Sequence, residues 1–527
     1  MTSGHKPPKT LQEQGNVVKK TLSTSGRLLP VFWTWPTAFA VGCLIAVLSP
    51  SLAAQAIWPF EAPQKPLSTA ESAAQLLSEM IQTPTVNPPG DERPLAEWLA
   101  DTLTSRGIEA RVIATPAYPG QNPNESETKR GALWARLKGN GSKRPLILLS
   151  HLDVVPADPT AWETDPFSGE IRGGWVYGRG ALDAKGVTAV HVMTLIELAR
   201  RNTSLDRDII LLATPDEETG GINGSGYLIH NHSELLQDAE FLLTEGGGVR
   251  SAQLDLDGNP TTPAIWGITI TEKNPCWIEL TTRGQAGHGS VPKKNAAVPR
   301  LIAALDRVRR IETPIEVLPQ VEFMFRSFAT TAPEEDQAGF AALTKSIAED
   351  SSFKRRFLAE PSYNALVRNT ISVTVLEGSS RTNVVPTSAR AEIDVRLLPG
   401  QRCEDFRGVL NRVIADPQVE TKVLLSFPSV SSPSDTALFK AIERVAHTQD
   451  PTALIVPRMI SGFTDAHYFR EKGIVAYGFV PRWLEPGEAS GVHGVNERIS
   501  IENLGRGVET LIQIIDEIAA PRNQELD

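Results

Sequence analysis

From residue 69 onward, short apolar runs alternate with amphipathic stretches, and the period of the apolar positions changes along the way. Residues 69–83 and 95–106 carry apolar positions at helical spacing. Between them, Pro84, Pro88, Pro89 and Gly90 mark a loop. Residues 109–114, 133–137 and 146–150 read as strands, 187–201 as a helix, and 208–213 and 239–244 as strands again. This alternation predicts an α/β domain with a mainly parallel, buried sheet and helices on both faces. After about residue 274 the register changes. Residues 276–282 alternate like a strand with one wet face, 296–311 are helical, 371–376 and 389–398 are strands, and 404–414 are helical. A β-α-β-β-α-β order predicts an inserted α+β lid with a small antiparallel sheet. Residues 428–433 read as the return linker, 436–446 as a helix, 473–480 as a strand and 501–519 as a closing amphipathic helix. The expected division is an N-terminal segment (1–66), a catalytic domain in two parts (67–274 and 429–527) and a lid of the dimerisation type (275–428). Within the lid, 313–368 is charged and helix-prone and receives no role.

The first 60 residues differ in character. Five basic residues and one acid lie there, all before residue 28, and 28–60 carry no charge. The basic-apolar-small order, ending at Ala54-Gln55-Ala56, predicts either a cleaved signal peptide or an uncleaved membrane anchor. Both put the protein outside the cytoplasm, periplasmic or extracytoplasmic, secreted or anchored, with a membrane contact only if the segment is kept. The remaining 47 basic and 61 acidic residues leave a net charge of −14, so nucleic acid is excluded as a partner. Cys43, Cys276 and Cys403 form no pair-spaced cluster, so the sequence predicts neither a disulfide framework nor a cysteine zinc site.

Candidate chemistry collects where apolar runs end. Thr214-Pro215-Asp216-Glu217-Glu218-Thr219-Gly220-Gly221 follows the run 209–213 and sets three acids in a row. Acids at a strand end repel one another and lose solvation unless a cation sits there. His151-x-Asp153 ends another strand, and residues two apart on a strand point the same way, so Asp153 can orient the His151 ring. Asp183 follows Gly178-Arg179-Gly180 at a helix start, where a helix cap is the alternative reading. Glu245 follows the strand 239–244, and His493 follows the last strand. Carboxyl ends of strands are where α/β folds build sites. Two divalent cations, three carboxylates and a bridging hydroxide sum to neutral, leaving Glu217 over as a general base. For Asp216 a helix-capping or backbone-bonding role is expected, and for His191, His230, His232 and His467 structural packing.

In their order and their long forms (His-Leu-Asp-Val-Val-Pro, Gly-Arg-Gly-Ala-Leu-Asp, Asp-Glu-Glu-x-Gly-Gly), these motifs resemble the M20 family of dinuclear zinc peptidases and amidohydrolases. Over roughly residues 67–525 the closest likeness is to its carboxypeptidase S-like branch, which includes N-acyl amino acid hydrolases. The resemblance implies two zinc ions per chain, with cobalt and manganese as alternatives. It implies that Asp183 bridges them, His151 and Glu245 completing one site and Glu218 and His493 the other. It also implies catalytic roles for Glu217, Asp153 and the lid residue His288, which helps polarise the scissile carbonyl, and substrate-binding roles for Asn383 and Arg396. Paired donation from arginine suits a terminal carboxylate. The activity so implied is hydrolysis of an amide bond beside a free carboxylate, with a metal-bound water as nucleophile, by a monomer or homodimer. A carboxypeptidase acting on short peptides is the first expectation, an N-acyl amino acid amidohydrolase the second, and a non-catalytic zinc-binding protein on the same fold the third.

Overall fold

A computed structural model describes residues 67–117, 128–236, 238–253, 260–484 and 491–520. The N-terminal segment, with its signal or anchor expectation, and Cys43 lie outside the described residues. Among the described residues no helix is long and apolar enough to cross a membrane.

Among the described residues ten strands form the large sheet. At its centre Leu146–His151 pairs in parallel with Ile209–Thr214 on one side and with Phe241–Thr244 on the other, and Phe241–Thr244 pairs in parallel with Val475–Gly478. All three of the first strands are fully buried and apolar, as strands covered on both faces must be. Alternate residues serve opposite faces. Leu146 and Leu148 pack under the helices Thr69–Ile81, Lys185–Arg201, Ala437–Gln449 and Ile501–Ala519, while Ile147 and Leu149 pack against Leu228, Ile229 and Phe469. Antiparallel pairs enter toward the margins: Glu109–Ala114 with Gly131–Leu137 at one edge, and Gly248–Arg250 with Ile265–Glu272 near the other, where Leu454–Ile460 and Trp483–Leu484 add in parallel.

A separate four-stranded antiparallel sheet runs in the order Thr370–Glu377, Ser388–Leu397, Asn274–Arg283, Val419–Ser426. The helices Ala297–Val308 and Cys403–Ile414 bury one of its faces through Ile278, Leu280, Leu301, Ile393, Val395 and Leu410. Fold class is therefore as the pattern predicted.

Two features depart from the sequence expectation. Cys276 and Cys403 form a disulfide, with Cα atoms 5.3 Å apart, despite a separation of 127 residues. No spacing signal exists because the sheet and its covering helix, not the local chain, bring them together. The stretch 313–368, expected to belong with the lid, packs short helices on the large sheet instead. Phe325, Phe340, Phe353 and Phe357 meet edge to face or tilted and cluster with Ile265, Val456 and Met459 of its marginal strands.

Candidate metal centre

The three central parallel strands end together, and each delivers acidic or imidazole groups to the same place. His151 is the last residue of Leu146–His151. Its Nδ1 lies 2.9 Å from the backbone carbonyl of Asp153, which can only accept, so Nδ1 carries a proton and Nε2 is the nitrogen turned to the acids. Orientation of the ring thus comes chiefly from the Asp153 backbone, with its carboxylate at 3.5 Å. That carboxylate has a further task. It accepts the backbone N–H groups of Glu217 (3.2 Å) and Glu218 (3.1 Å) and the amide of Asn87 (2.8 Å), tying two strand ends together.

Around His151 Nε2 stand Asp183 Oδ1 at 3.0 Å, Glu245 Oε1 at 3.5 Å and Glu217 Oε2 at 4.0 Å. On the other side of Asp183, Oδ2 is 3.2 Å from His493 Nε2, and Glu218 Oε2 is 3.3 Å from the same nitrogen. One carboxylate therefore faces two imidazoles through its two oxygens. Asp183 is no helix cap: the helix Lys185–Arg201 begins without a side-chain cap. The loop carrying Asp183 is held by Glu497, whose carboxylate accepts the backbone N–H groups of Gly180, Leu182 and Asp183 and pairs with Arg179 at 2.6 Å.

Without a cation this arrangement is electrostatically uncomfortable. Burial and the neighbouring Glu245 push Glu217 well above the ordinary carboxylate range, and burial raises Glu218 and Glu245. Hydrogen bonds to Asp183 and Glu218 push His493 up to about 10. Against the burial that would raise it, His151 and His493 hold Asp183 well below its ordinary value. One oxygen of Glu218 is buried without a partner. Two donor groups, His151–Glu217–Glu245 and His151–Asp183–Glu218, each bring three ligand atoms within 4.8 Å of one another. Imidazole nitrogens and carboxylate oxygens in such clusters fit one or more divalent metal ions.

Asp216 faces away from this cluster. It accepts from the backbone of Asn223 at 2.7 Å and pairs with the fully buried Arg130 at 2.9 Å, which also pairs with Glu92 at 3.1 Å. The glycine turn after the acids is demanded by packing, because a Cβ on Gly221 (φ +69°) would lie 2.0 Å from Asp465 Oδ1. Of the histidines expected to pack structurally, His191 is fully buried in its helix and His467 stacks on Phe427.

A cavity of about 930 Å³ opens from the acids. Asp183, Glu217, Glu218, Glu245 and His493 line one part, and Val249, Ile265, Trp277, Phe328, Ile460 and Phe463 line much of the rest. Arg396 joins this wall, stacked between Trp277 and Phe463, with Asp394 gripping its Nε at 2.6 Å and one Nη at 2.9 Å. Its other Nη is buried and unpartnered. His288 and Asn383 do not line the cavity. They are exposed and lie beside each other, where Gly289 donates to the Asn383 carbonyl at 2.8 Å. Sequence reading missed Glu497, Asn87 and Arg130, which act on the site from outside any motif.

The profile of peptidase family M20/M25/M40 matches residues 147–517. The chain belongs to this family. Among similar M20 relatives is the N-fatty-acyl-amino acid synthase/hydrolase PM20D1 of Xenopus tropicalis, 31% identical over 70% of this chain and 72% of its own length. Another is the probable carboxypeptidase S-like 2 of Dictyostelium discoideum, 26% identical over 71% and 72%. Among solved structures, the M20 family metallo-carboxypeptidase Sso-CP2 of Sulfolobus solfataricus superposes with a TM-score of 0.63 at 20% identity, covering 85% of this chain and 99% of that one. M20 membership and these relatives make the chain a hydrolytic enzyme acting on amide bonds.

Proposed function

We propose that the chain is an N-acyl amino acid amidohydrolase working with two zinc ions. The observation that carries this reading is the cavity of about 930 Å³, whose wall joins a carboxylate-imidazole cluster to the apolar side chains that an acyl chain needs. The PM20D1 relatives support the same substrate class. A short-peptide carboxypeptidase remains the second reading, favoured by the carboxypeptidase S-like relatives.

His151, Asp183 and Glu245 would hold one ion, and Asp183, Glu218 and His493 the other. Bound zinc would polarise the amide carbonyl and make water acidic enough to attack at neutral pH. Glu217 is no ligand in this scheme. It takes the proton of the attacking water and delivers it to the leaving nitrogen. Asp153 positions Glu217 and Glu218 by holding their amides. The apolar wall of Trp277 and Phe463 excludes water, and the free Nη of Arg396 donates to a substrate oxygen. His288 and Asn383 would reach the reacting carbonyl only after the lid moves toward the large sheet, a hinge closure of the usual kind. The disulfide supports the export reading, since such bonds persist in oxidising compartments.

The test is a panel of N-acyl amino acids of increasing acyl length and of dipeptides, incubated with zinc-loaded protein. The proposal expects kcat/KM to rise with acyl length and to exceed that for every dipeptide. Faster dipeptide turnover would favour the carboxypeptidase reading, and turnover of neither the non-catalytic one.

A further inference from the structure

The cavity wall also carries cations. Arg250 closes the strand Gly248–Arg250, and Arg458 lies in Leu454–Ile460; both line the cavity. These strands flank Ile265–Glu272, where Gly248 and Gly267 sit directly opposite each other. The Arg458 side chain runs over Gly267, for a Cβ there would lie 2.5 Å from its Cδ and 3.2 Å from one Nη. The missing side chain of Gly267 thus leaves the space that the Arg458 side chain occupies.

Neither arginine has a hydrogen-bond or ion-pair partner among the described residues, and the Arg458 Nε is buried without one. The fully buried arginines of this protein pair with carboxylates, Arg130 with Glu92 and Asp216, Arg179 with Glu497 and Arg470 with Glu272, whereas Arg458 is half-buried and Arg250 exposed. Burial and the neighbouring Arg250 lower the Arg458 pKa, whereas none of the cluster acids acts on it. Two cations that line one cavity without a partner among the described residues suit an anion.

We propose that Arg458 and Arg250 form a carboxylate subsite in the wall of the substrate cavity, selecting amides whose acyl group ends in a second carboxylate. Building on the amidohydrolase reading, this names the acyl class: an apolar midsection along Val249, Ile265 and Phe328, then an anionic terminus. Arg396 is a separate donor, stacked between Trp277 and Phe463 and already paired with Asp394.

The experiment compares N-adipoyl and N-hexanoyl derivatives of one amino acid, equal in chain length and differing in a terminal carboxylate or methyl, on zinc-loaded full-length protein. The wild type should prefer the adipoyl substrate by about tenfold or more in kcat/KM, the scale of a charge-assisted contact. Arg458→Gln and Arg250→Gln should each bring the ratio toward one. Gly267→Ala should do the same with both arginines present. A parallel arm records the rise in Tm caused by adipate against hexanoate. The excess for adipate should vanish in Arg458→Gln. Equal kcat/KM values in the wild type, or a ratio and an adipate excess that survive Arg458→Gln, would overturn the subsite. An adipate excess that depends on Arg458, with no turnover of either acyl amino acid, would retain the subsite and overturn the amidohydrolase reading.

Discussion

Asp153 and Glu217 are joined through the backbone: the N–H of Glu217 donates to Asp153 Oδ1 at 3.2 Å. The strand end that carries His151 and the turn that carries Glu217 and Glu218 are therefore set by one carboxylate. Asp153→Ala leaves every proposed ligand in place but releases that turn. Zinc affinity should fall about 10–100-fold, the usual effect of removing a group that orients ligands. A competitive zinc titration checks this, and unchanged affinity would remove Asp153 from the role.

Arg130 holds the acidic turn from behind. It is fully buried between Glu92 and Asp216, and burial pushes Glu92 up to about 7. Arg130→Met leaves two buried carboxylates without their cation. Destabilisation of about 3–5 kcal/mol is expected, the range for breaking a buried pair from one side. Urea unfolding of the variant at neutral pH measures it.

The Cys276–Cys403 bond closes a long loop. Replacing both cysteines by serine should lower stability by about 2–4 kcal/mol, through the unfolded chain's regained freedom. Calorimetry under oxidising and reducing conditions should show the wild type approaching the variant only when reduced.

Stability should also fall in acid through His191. Burial pulls this residue down to about 3, so the folded state keeps it neutral where the unfolded chain, titrating at about 6.5, binds a proton. The unfolded state then holds more protons between those values, and stability rises with pH across that window and is lost as pH falls through it. His191→Met should flatten the dependence of Tm on pH between about 6.5 and 4. An unchanged slope would show that His191 is not its source.

The sequence discloses the central strands, because their apolar runs are uninterrupted and end in charged residues. His151, Glu217, Glu218 and Glu245 were legible for that reason. Marginal strands were less so. Leu454–Ile460 contains Pro457 and Arg458, which argue against a strand, and Ile265–Glu272 is wholly buried without alternation. Glu497 lies 318 residues from Arg179 and Asn87 lies 66 from Asp153, so only the folded sheet brings them to the site. His288 and Asn383 show the converse: the sequence pairs them with the catalytic groups, and the structure sets them on neighbouring exposed segments outside the cavity wall.

Glu217 carries the central claim, since the scheme leaves it free of metal and gives it the proton. The most direct measurement is kcat of Glu217→Gln beside its zinc content, on the N-acyl amino acid turned over fastest by the wild type. Two zinc ions per chain with kcat reduced by about 10²–10⁴-fold is the predicted result. Full activity with both ions bound would contradict the account.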